Sequence, residues 1–490
     1  MSQPAPRSLN RNLTLLAACL GFVVVILDVS VVNVATNALS EDFGESLSGL
    51  QWVINGYTLT FAAFLLSAGA LGDRFDSTRI FQVGFALFAI TSLACGASPT
   101  LLVLVVSRMV QGLAAALIVP ASLTIVNNTF PDKIARTKAV SLWAAAGGLA
   151  LAAGPVVGGL LIEQFGWQSI FFMNLPIALA GIWLAQANAP RVAGRSTSPV
   201  RRSIDIPGQV LAVVGLGALT AGIIEANSLG WFSPLVITCL AVFLLSLVAF
   251  IIIEQRHHDP MLPLKLFGRK AFTSTSLIGV LLNFAFYGLI FTFSLFFQKG
   301  WGYSPIDAGL ALLPMTAAIM LANLACGPLT KKFGARTVMI GGNTLATLGF
   351  LALVPVAHTN SYLAFLAQFL IAGFGIGLVV PAMTNAMLSA VDKSNAGIAA
   401  GVLNASRQLG GLLGVAILGL FIGGSSASSF VSGLQPAVIL AAVAFAISAL
   451  LSTFGIPRQA GTAETLIREA DPARTAINAP SPVIPDRART

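Results

Sequence analysis

Long apolar segments, separated by short polar ones, run through most of the chain. Each is long enough to cross a bilayer as one helix, because about 20 helical residues span the hydrocarbon core. The pattern predicts fourteen spans, at residues 13–36, 50–71, 79–97, 101–128, 140–162, 169–187, 206–226, 232–253, 274–297, 306–328, 336–357, 361–388, 397–423 and 434–455. The sequence therefore predicts an all-α polytopic membrane protein.

Positive charge is distributed unevenly over the segments that connect these spans. Of the 27 Lys and Arg residues, all but three lie in one of the two alternating sets of connections or in the terminal segments. The exceptions are Lys299, in the opposite set, and Arg108 and Arg407, which lie within spans. The positive-inside rule places the basic set in the cytoplasm. Both chain ends are therefore predicted to be cytoplasmic, which requires an even number of spans.

Two long basic connections, 188–205 and 254–273, bracket the seventh and eighth spans and predict a 6+2+6 arrangement. A weak internal repeat supports it, since Gly69-x-Leu71 after the second span resembles Gly327-x-Leu329 after the tenth. Repeated halves are typical of secondary transporters. The predicted divisions are a cytoplasmic N-terminus (1–12), a six-helix bundle (13–187), a linker with two inserted helices (188–273), a second six-helix bundle (274–455) and a disordered cytoplasmic tail (456–490).

Composition and motifs narrow the class of protein further. Hydrophobic residues make up 56% of the chain and charged residues 9%, which no soluble domain of this length resembles. The net charge of +9 does not indicate a nucleic-acid partner, because the basic residues follow the membrane topology. The four cysteines lie in apolar segments without metal-ligand spacing, so no metal site is expected. No Gly-x-x-x-x-Gly-Lys loop or nucleophile–base set indicates an ATP-driven pump or a membrane enzyme.

One carboxylate lies deep within the first span. A charge at that depth costs roughly 2.5–3.5 kcal/mol on insertion scales, so Asp28 needs a compensating role. In one interpretation Asp28 faces a watery cavity and binds a proton or a cation. In the other, water reaches it from the membrane edge, or it only ties helices together. We favour the first, because an ionisable residue within a membrane is by default a functional candidate.

A guanidinium in the fourth span has similar needs. Arg108, Gln111 and Gly112 fall on one helix face by their spacing. Within a membrane the guanidinium must find a carboxylate, carbonyl groups or water, and Asp28 is the nearest plausible partner by helix order. Asp28 and Arg108 are therefore the candidates for proton coupling. The alternative is a purely structural pair.

Four segments together resemble a known family. They are Leu27-Asp28-x-Ser30-x-x-Asn33-x-Ala35, Gly69-x-Leu71-Gly72-Asp73-Arg74, Arg108-x-x-Gln111-Gly112 and Gly154-Pro155-x-x-Gly158-Gly159. In this order, and over roughly residues 13–455, they resemble the major facilitator superfamily and its fourteen-span drug:proton antiporters. The chain departs from the family's pattern at Asn37 (usually Pro), Asp76 (usually Gly) and Ala150 (usually Gly).

The resemblance implies a transporter driven by the proton gradient, with no cofactor, that works by alternating access. It implies gating roles for Gly69, Asp73, Arg74, Gly112, Gly154, Pro155, Gly158 and Gly159. Without the resemblance, the glycines of the fifth span are a small-residue packing stripe, and Asp73 and Arg74 are part of a solvated turn.

Polar and aromatic residues within spans are the candidates for a substrate cavity: Asn33, Gln51, Trp52, Asn55, Tyr57, Gln111, Phe284, Tyr287, Asn404 and Arg407. Aromatic faces suit bulky apolar compounds and hold organic cations by cation–π attraction. The Phe side chains could equally face lipid. No acidic residue lies in the middle of the second half, which argues against a site dedicated to dications.

The sequence thus predicts a proton-coupled exporter of bulky amphipathic or lipophilic cationic drugs. We expect a monomer in the cell membrane of a bacterium, with protons, small molecules and the bilayer as partners and no nucleic acid. One alternative is a dedicated exporter of a single metabolite or self-made antibiotic, or an importer. Another is a transporter-like receptor or scaffold without turnover.

Overall fold

A computed structural model describes residues 10–44, 47–74, 76–130, 132–188, 205–256, 262, 264–355, 361–392, 396–422 and 427–458. These residues form fifteen α-helices. The helices are α1 (Arg11–Phe43), α2 (Leu47–Arg74), α3 (Ser77–Gly96), α4 (Leu101–Thr129), α5 (Lys133–Phe165), α6 (Ser169–Phe172), α7 (Asn174–Asn188), α8 (Ile206–Leu229), α9 (Pro234–Arg256), α10 (Lys270–Leu295), α11 (Pro305–Phe333), α12 (Ala335–Leu351), α13 (Tyr362–Ser389), α14 (Ala396–Gly419) and α15 (Ala427–Gly455). A π-helical turn at Phe296–Gly300 extends α10, and 3₁₀ turns occupy Leu264–Gly268 and Leu420–Ile422.

The prediction of an all-α membrane protein is confirmed. In the part of the chain described, twelve helices are long and apolar enough to cross a membrane, with α6 and α7 together forming one of them. Helices α2 and α12 coincide with the two other predicted spans, and α12 has 17 residues. The described residues therefore contain between twelve and fourteen candidate membrane helices. The count of fourteen, the side on which the termini lie and the domain boundaries stay predictions.

Short polar connections define where the helices begin. The side chain of Asn10 accepts a hydrogen bond from the backbone N–H of Leu13, and Thr100 caps α4 through the N–H of Val103 in the same way. Asp132 caps α5 through the N–H of Ala135. Such caps satisfy N–H groups that lack an intrahelical acceptor. The apolar segments are therefore terminated by local chemistry as well as by the loss of hydrophobicity.

The helices pack into two bundles with separate cores. Helices α1 to α4 and α7 share one apolar core, which includes Phe81, Phe85 and Phe88. Helices α10 to α15 surround a second core, rich in aromatic residues of α10 and α13. Helices α8 and α9 pack against each other, and α8 also packs against α2. The side chain of Gln209 on α8 donates to the carbonyl of Ala63 on α2 at 2.9 Å, which fixes the pair α8–α9 beside the first bundle.

The two bundles meet at the end of the molecule where α1 ends and α2 begins, which we call the sealed end. Side chains of α10 donate to the α1 backbone there, Ser294 to the carbonyl of Asn33 at 2.7 Å and Gln298 to that of Val34 at 3.1 Å. The amide of Gln51 on α2 donates to the α14 carbonyl of Val415 at 3.0 Å. These bonds join both bundles through the backbone, so they depend little on side-chain identity on the accepting helix.

A glycine contact completes the sealed end between α5 and α11. A Cβ atom at Gly309 would lie 2.2 Å from the carbonyl oxygen of Pro155, and one at Gly159 would lie 2.6 Å from the Cα of Ile306. Only glycine permits backbones to approach this closely. Farther from this end, Thr316 on α11 donates to the carbonyl of Ala152 on α5 at 3.5 Å. These contacts thus extend from the sealed end to about the middle of α5 and α11.

We expect Gly309→Val to separate the bundles at the sealed end, because the new side chain overlaps the α5 backbone. Spin labels on cysteines introduced at Glu41 and Asp307 would report a longer distance in the variant by pulsed electron paramagnetic resonance. The matched control is Gly341→Val, since a Cβ atom at Gly341 meets no atom within 4 Å. An unchanged distance in Gly309→Val would contradict the proposed role of this contact.

Candidate functional site

Five polar side chains from four helices meet inside the first bundle. They are Asp28 on α1, Ser92 on α3, Arg108 and Gln111 on α4, and Asn174 at the start of α7, and we call them the Asp28 network. None of them is more than 1% exposed. Burial of polar groups at this depth is tolerated only when their hydrogen bonds are made internally. The network therefore depends on the mutual positions of all four helices.

Arg108 makes the strongest contacts of the network. Its Nη1 atom donates to Oδ2 of Asp28, forming an ion pair, and to Oε1 of Gln111 at 2.7 Å. Its Nε atom donates to the α2 carbonyl of Val53 at 3.2 Å. The guanidinium also lies 4.2 Å from the centre of the Tyr57 ring, within range of a cation–π interaction. Arg108 thus connects α1, α2 and α4.

The second oxygen of Asp28 is held by two amides. Oδ1 accepts from Nδ2 of Asn174 at 2.9 Å and from Nε2 of Gln111 at 3.2 Å. The same two amide nitrogens donate to the Ser92 hydroxyl oxygen, at 3.3 Å and 2.8 Å. Both oxygens of the carboxylate therefore receive donors only, which is the pattern of an ionised carboxylate. With Arg108 beside it, the network as a whole is electrically neutral.

One acceptor in the network has no partner. Oδ1 of Asn174 is buried and makes no hydrogen bond. A protonated Asp28 would become a donor and would need an acceptor within reach. Rotation of the Asn174 amide by half a turn would present Oδ1 to the carboxyl group in place of Nδ2. The arrangement can therefore satisfy Asp28 in either protonation state without moving a helix.

The expectation that Asp28 faces a watery cavity is not met in this conformation. Its exposed fraction is 0%, because α1, α2, α3, α4 and α7 enclose it. The cavity candidates Asn33, Gln51, Asn55, Tyr57 and Gln111 are buried as well. Asn33 donates to the carbonyl of Val29 within α1, and Gln51 donates across to α14. Oδ1 of Asn33, Oε1 of Gln51, both amide atoms of Asn55 and the hydroxyl of Tyr57 are buried and make no hydrogen bond.

The remaining cavity candidates are partly exposed. Trp52 donates to the carboxylate of Glu225 on α8 at 3.2 Å and packs in a small cluster between α2, α8 and α14, so it lies in a seam between helices. Phe284, Tyr287, Asn404 and Arg407 lie on the neighbouring helices α10 and α14. The structure thus divides the predicted cavity set, with polar residues of the first bundle buried and those of the second accessible.

The glycine motifs form close helix contacts. A Cβ atom at Gly112 would lie 2.2 Å from the carbonyl oxygen of Tyr57, which requires glycine where α4 crosses α2. Cβ atoms at Gly154 and Gly158 would meet Ser30 and Val31 at 2.4 Å and 3.1 Å. The fifth span therefore uses one glycine face for α1 and, through Pro155 and Gly159, another for α11. Gly69, Asp73 and Arg74 fall on α2, but their side chains lie outside the described residues.

Sequence analysis missed two members of the network, Ser92 and Asn174. Asn174 precedes an apolar stretch, where an asparagine is read as a helix cap, and a serine within a span carries little hydropathy signal. The structure shows that α7 begins at Asn174 within the membrane region, after the short helix α6. In the sequence, the one available signal was that Asn174 is an amide inside the predicted span 169–187. Among the described residues, no group of three or more His, Cys, Asp or Glu could hold a metal ion.

Comparison with known proteins identifies relatives. Residues 18–415 match the Major Facilitator Superfamily. The chain is 36% identical to the methylenomycin A resistance protein of Streptomyces coelicolor, over 86% of this chain and 87% of that one. It is 34% identical to the multidrug resistance protein Stp of Mycobacterium tuberculosis, over 83% and 75% of the two chains. A solved inward-facing bacterial homologue of the human lysosomal transporter Spinster superposes with a TM-score of 0.65 at 15% identity, covering 92% of this chain and 98% of that one.

We expect Arg108→Leu to lower the free energy of unfolding by about 3–5 kcal/mol, because it leaves Asp28 buried without its counter-ion. The double variant Asp28→Leu/Arg108→Leu should recover most of this loss, since it removes both charges together. Thermal unfolding of the purified protein in detergent measures both effects.

The control for this comparison is the exposed ion pair of Arg269 and Asp392, 2.9 Å apart. Arg269→Leu should cost about 0–1 kcal/mol, as exposed pairs do. Equal losses in Arg269→Leu and Arg108→Leu, or a double variant no more stable than Arg108→Leu, would refute the importance of charge pairing in the network.

Proposed function

Because the chain belongs to the major facilitator superfamily, and is a transporter rather than an enzyme, we propose that it is a proton-coupled exporter of bulky amphipathic drugs. Export proceeds by alternating access, with the two bundles opening in turn to either side of the membrane. The proton gradient drives the cycle, and no cofactor takes part. The Asp28 network is the observation that carries the proposal.

Asp28 is proposed to carry the exchanged proton. Three features of the network support this role: Asp28 is the one carboxylate in the middle of a span, its two oxygens receive donors from three side chains, and Asn174 has an unused acceptor beside it. In the ionised state Arg108 balances the charge of Asp28. When Asp28 takes a proton, Arg108 loses its partner, so the free energy of the bundle changes with each proton bound. That change can favour one conformation over the other.

The proposed topology is fourteen spans in a 6+2+6 arrangement with cytoplasmic termini, supported by the distribution of basic residues. In this topology the sealed end faces outward, and the conformation is inward-facing. The superposition with an inward-facing transporter supports that assignment at the level of the fold. We propose that Pro155 and Gly159 form part of the surface along which the bundles rock, and that Gly112, Gly154 and Gly158 keep the first bundle rigid as it moves. We keep Gly69, Asp73 and Arg74 as proposed gating residues, on the resemblance alone.

Relatives supply the support for drug export. One is named for resistance to methylenomycin A and another as a multidrug resistance protein. We propose a monomer in the bacterial inner membrane, with the substrate, protons and lipid as its partners and no nucleic acid. The sequence-based expectation of lipophilic cations receives no support from the geometry, because the one carboxylate in mid-span is already paired with Arg108.

A dedicated exporter of a single compound is the second candidate. A relative from Bacillus subtilis, 36% identical over 92% of this chain and 95% of that one, is again named for methylenomycin A alone. A narrow and a broad exporter share the coupling proposed here and differ only in the range of compounds that they move. A receptor without turnover would show no coupling.

The test is accumulation of fluorescent drugs in cells that lack their own efflux pumps. We expect the wild type to lower accumulation, and we expect both Asp28→Asn and an uncoupler to abolish this effect. Asp28→Asn replaces the carboxylate beside Arg108 by an amide of the same size, which cannot take up or release a proton. Surface expression is measured for each variant.

The matched control is Asp392→Asn, which neutralises an exposed carboxylate. It should export like the wild type. Undiminished export by Asp28→Asn would show that the proton is carried elsewhere. Export that persists with the uncoupler would show that the proton gradient is not the driving force, and lack of export for a broad panel of drugs would favour the dedicated exporter.

A further inference from the structure

Arg407 is a cation within a membrane-spanning helix, and the residues that the structure describes give it no ion-pair or hydrogen-bond partner. It lies on α14, eight residues before the Val415 carbonyl at the sealed end, which places it about 12 Å along the helix from that contact. In the described part of the protein, no carboxylate or carbonyl group forms an ion pair or hydrogen bond with Arg407. Its side chain is neither fully buried nor fully exposed. Arg407 thus differs from Arg108, which is fully paired and buried.

The second bundle offers no carboxylate to pair with Arg407. Between residues 270 and 458 the sequence contains two acidic residues, Asp307 and Asp392. Asp307 lies in the first turn of α11, and Asp392 lies beyond α13, where it pairs with Arg269. Asp28, in the first bundle, is already neutralised by Arg108. The middle of the membrane region therefore holds one uncompensated charge, and that charge is positive.

The surroundings of Arg407 are suited to an amphipathic molecule. A Cβ atom at Gly279 of α10 would lie 3.7 Å from Cγ of Arg407, so the aliphatic part of the side chain runs along α10. One turn further, a Cβ atom at Gly411 would lie 3.0 Å from the ring of Tyr287. Gly411 lies four residues after Arg407 on α14, so Tyr287 packs about one helical turn from Arg407. Asn404, one turn before Arg407, is also partly exposed. The guanidinium of Arg407 and the phenol ring of Tyr287 therefore lie about one helical turn apart where α10 and α14 pack together.

The chemistry of the guanidinium indicates which kind of ligand should bind beside Arg407 and Tyr287. A guanidinium within a membrane pairs with an anion, with carbonyl groups or with water, and its planar fork matches a carboxylate in a bidentate manner. As an extension of the proposed export function, we propose that Arg407 binds the carboxylate of the transported compound, so that the substrates are amphipathic organic anions. The neighbouring Tyr287 ring packs against the apolar body of the same molecule.

The inferred charge also fits the coupling. An organic anion that pairs with Arg407 leaves the middle of the membrane region neutral, since Asp28 and Arg108 cancel each other. A cation would add a second positive charge next to Arg407, which low-dielectric surroundings make unfavourable. Basic residues at the helix ends opposite the sealed end, such as Lys270, Lys331 and Lys332, add a positive potential that attracts anions towards the same half of the molecule.

The test uses two dyes with the same xanthene core and opposite charge, fluorescein as the anion and rhodamine 6G as the cation. Binding to the purified full-length protein is measured by fluorescence polarisation. We expect the wild type to bind fluorescein more tightly than rhodamine 6G. Arg407→Gln should weaken fluorescein binding about tenfold, equal to about 1.4 kcal/mol, and leave rhodamine 6G binding unchanged or stronger. Arg407→Lys should restore part of the loss, because it returns the charge without the fork.

Arg269→Gln is the matched control, since it removes a positive charge from an exposed position. It should leave the preference for fluorescein intact, which separates a local effect of Arg407 from the general field. A wild type that prefers rhodamine 6G or binds neither dye, or an Arg407→Gln variant that keeps its preference for fluorescein, would overturn the assignment.

Binding requires no proton gradient, so the result is independent of the export function. Fluorescein that binds through Arg407 but does not accumulate inside everted vesicles under a proton gradient would refute the proposed export of this compound. It would leave the assignment of the Arg407 site standing. Export of rhodamine 6G together with failure of fluorescein to bind would refute the assignment of the Arg407 site and leave the proposed export function standing.

Discussion

A charged pair enclosed in an apolar bundle is the constraint on which the rest of this structure depends. Neither Asp28 nor Arg108 is tolerable alone at this depth, because an isolated buried charge costs several kcal/mol and a good partner repays that cost only in favourable geometry. The partners that complete the geometry come from α2, α3, α4 and α7. The helices of the first bundle are therefore held in place around the Asp28 network, which is the most polar part of its interior.

In the proposed mechanism this organisation separates two tasks, proton coupling in the first bundle and substrate binding in the second. The first bundle holds the neutral Asp28 network, and binding of a proton would change the net charge of that network. In this conformation the network is enclosed and has no contact with bulk water. The second bundle holds the unpaired Arg407 beside partly exposed aromatic groups. The contacts between the two bundles at the sealed end are made by backbone carbonyls and glycines. In the proposed mechanism these contacts break and re-form together. Coupling then means that the charge state of the network biases how the two bundles meet.

Much of this could be predicted from the sequence. Hydrophobic segments predict the helices because a helix satisfies its own backbone within the bilayer, so little depends on tertiary context. The depth of Asp28 and Arg108 made both of them candidates, because charge in a span is rare. The rotation of each helix about its axis is not contained in these signals. The structure buries Tyr57 and Gln51, and their assignment to a cavity stays a prediction, whereas Asn174 was missed because its role depends on where α7 begins.

Asp28 is proposed to exchange the proton that drives transport, and proton release on substrate binding measures this exchange. Purified protein in a weakly buffered solution is mixed with an exported compound, and the pH change is followed alongside the amount of compound bound. At a pH low enough for Asp28 to hold a proton, substrate binding should release up to about one proton per bound molecule in the wild type, and none in Asp28→Asn when the same amount is bound. Equal proton release by Asp28→Asn would contradict this proposal.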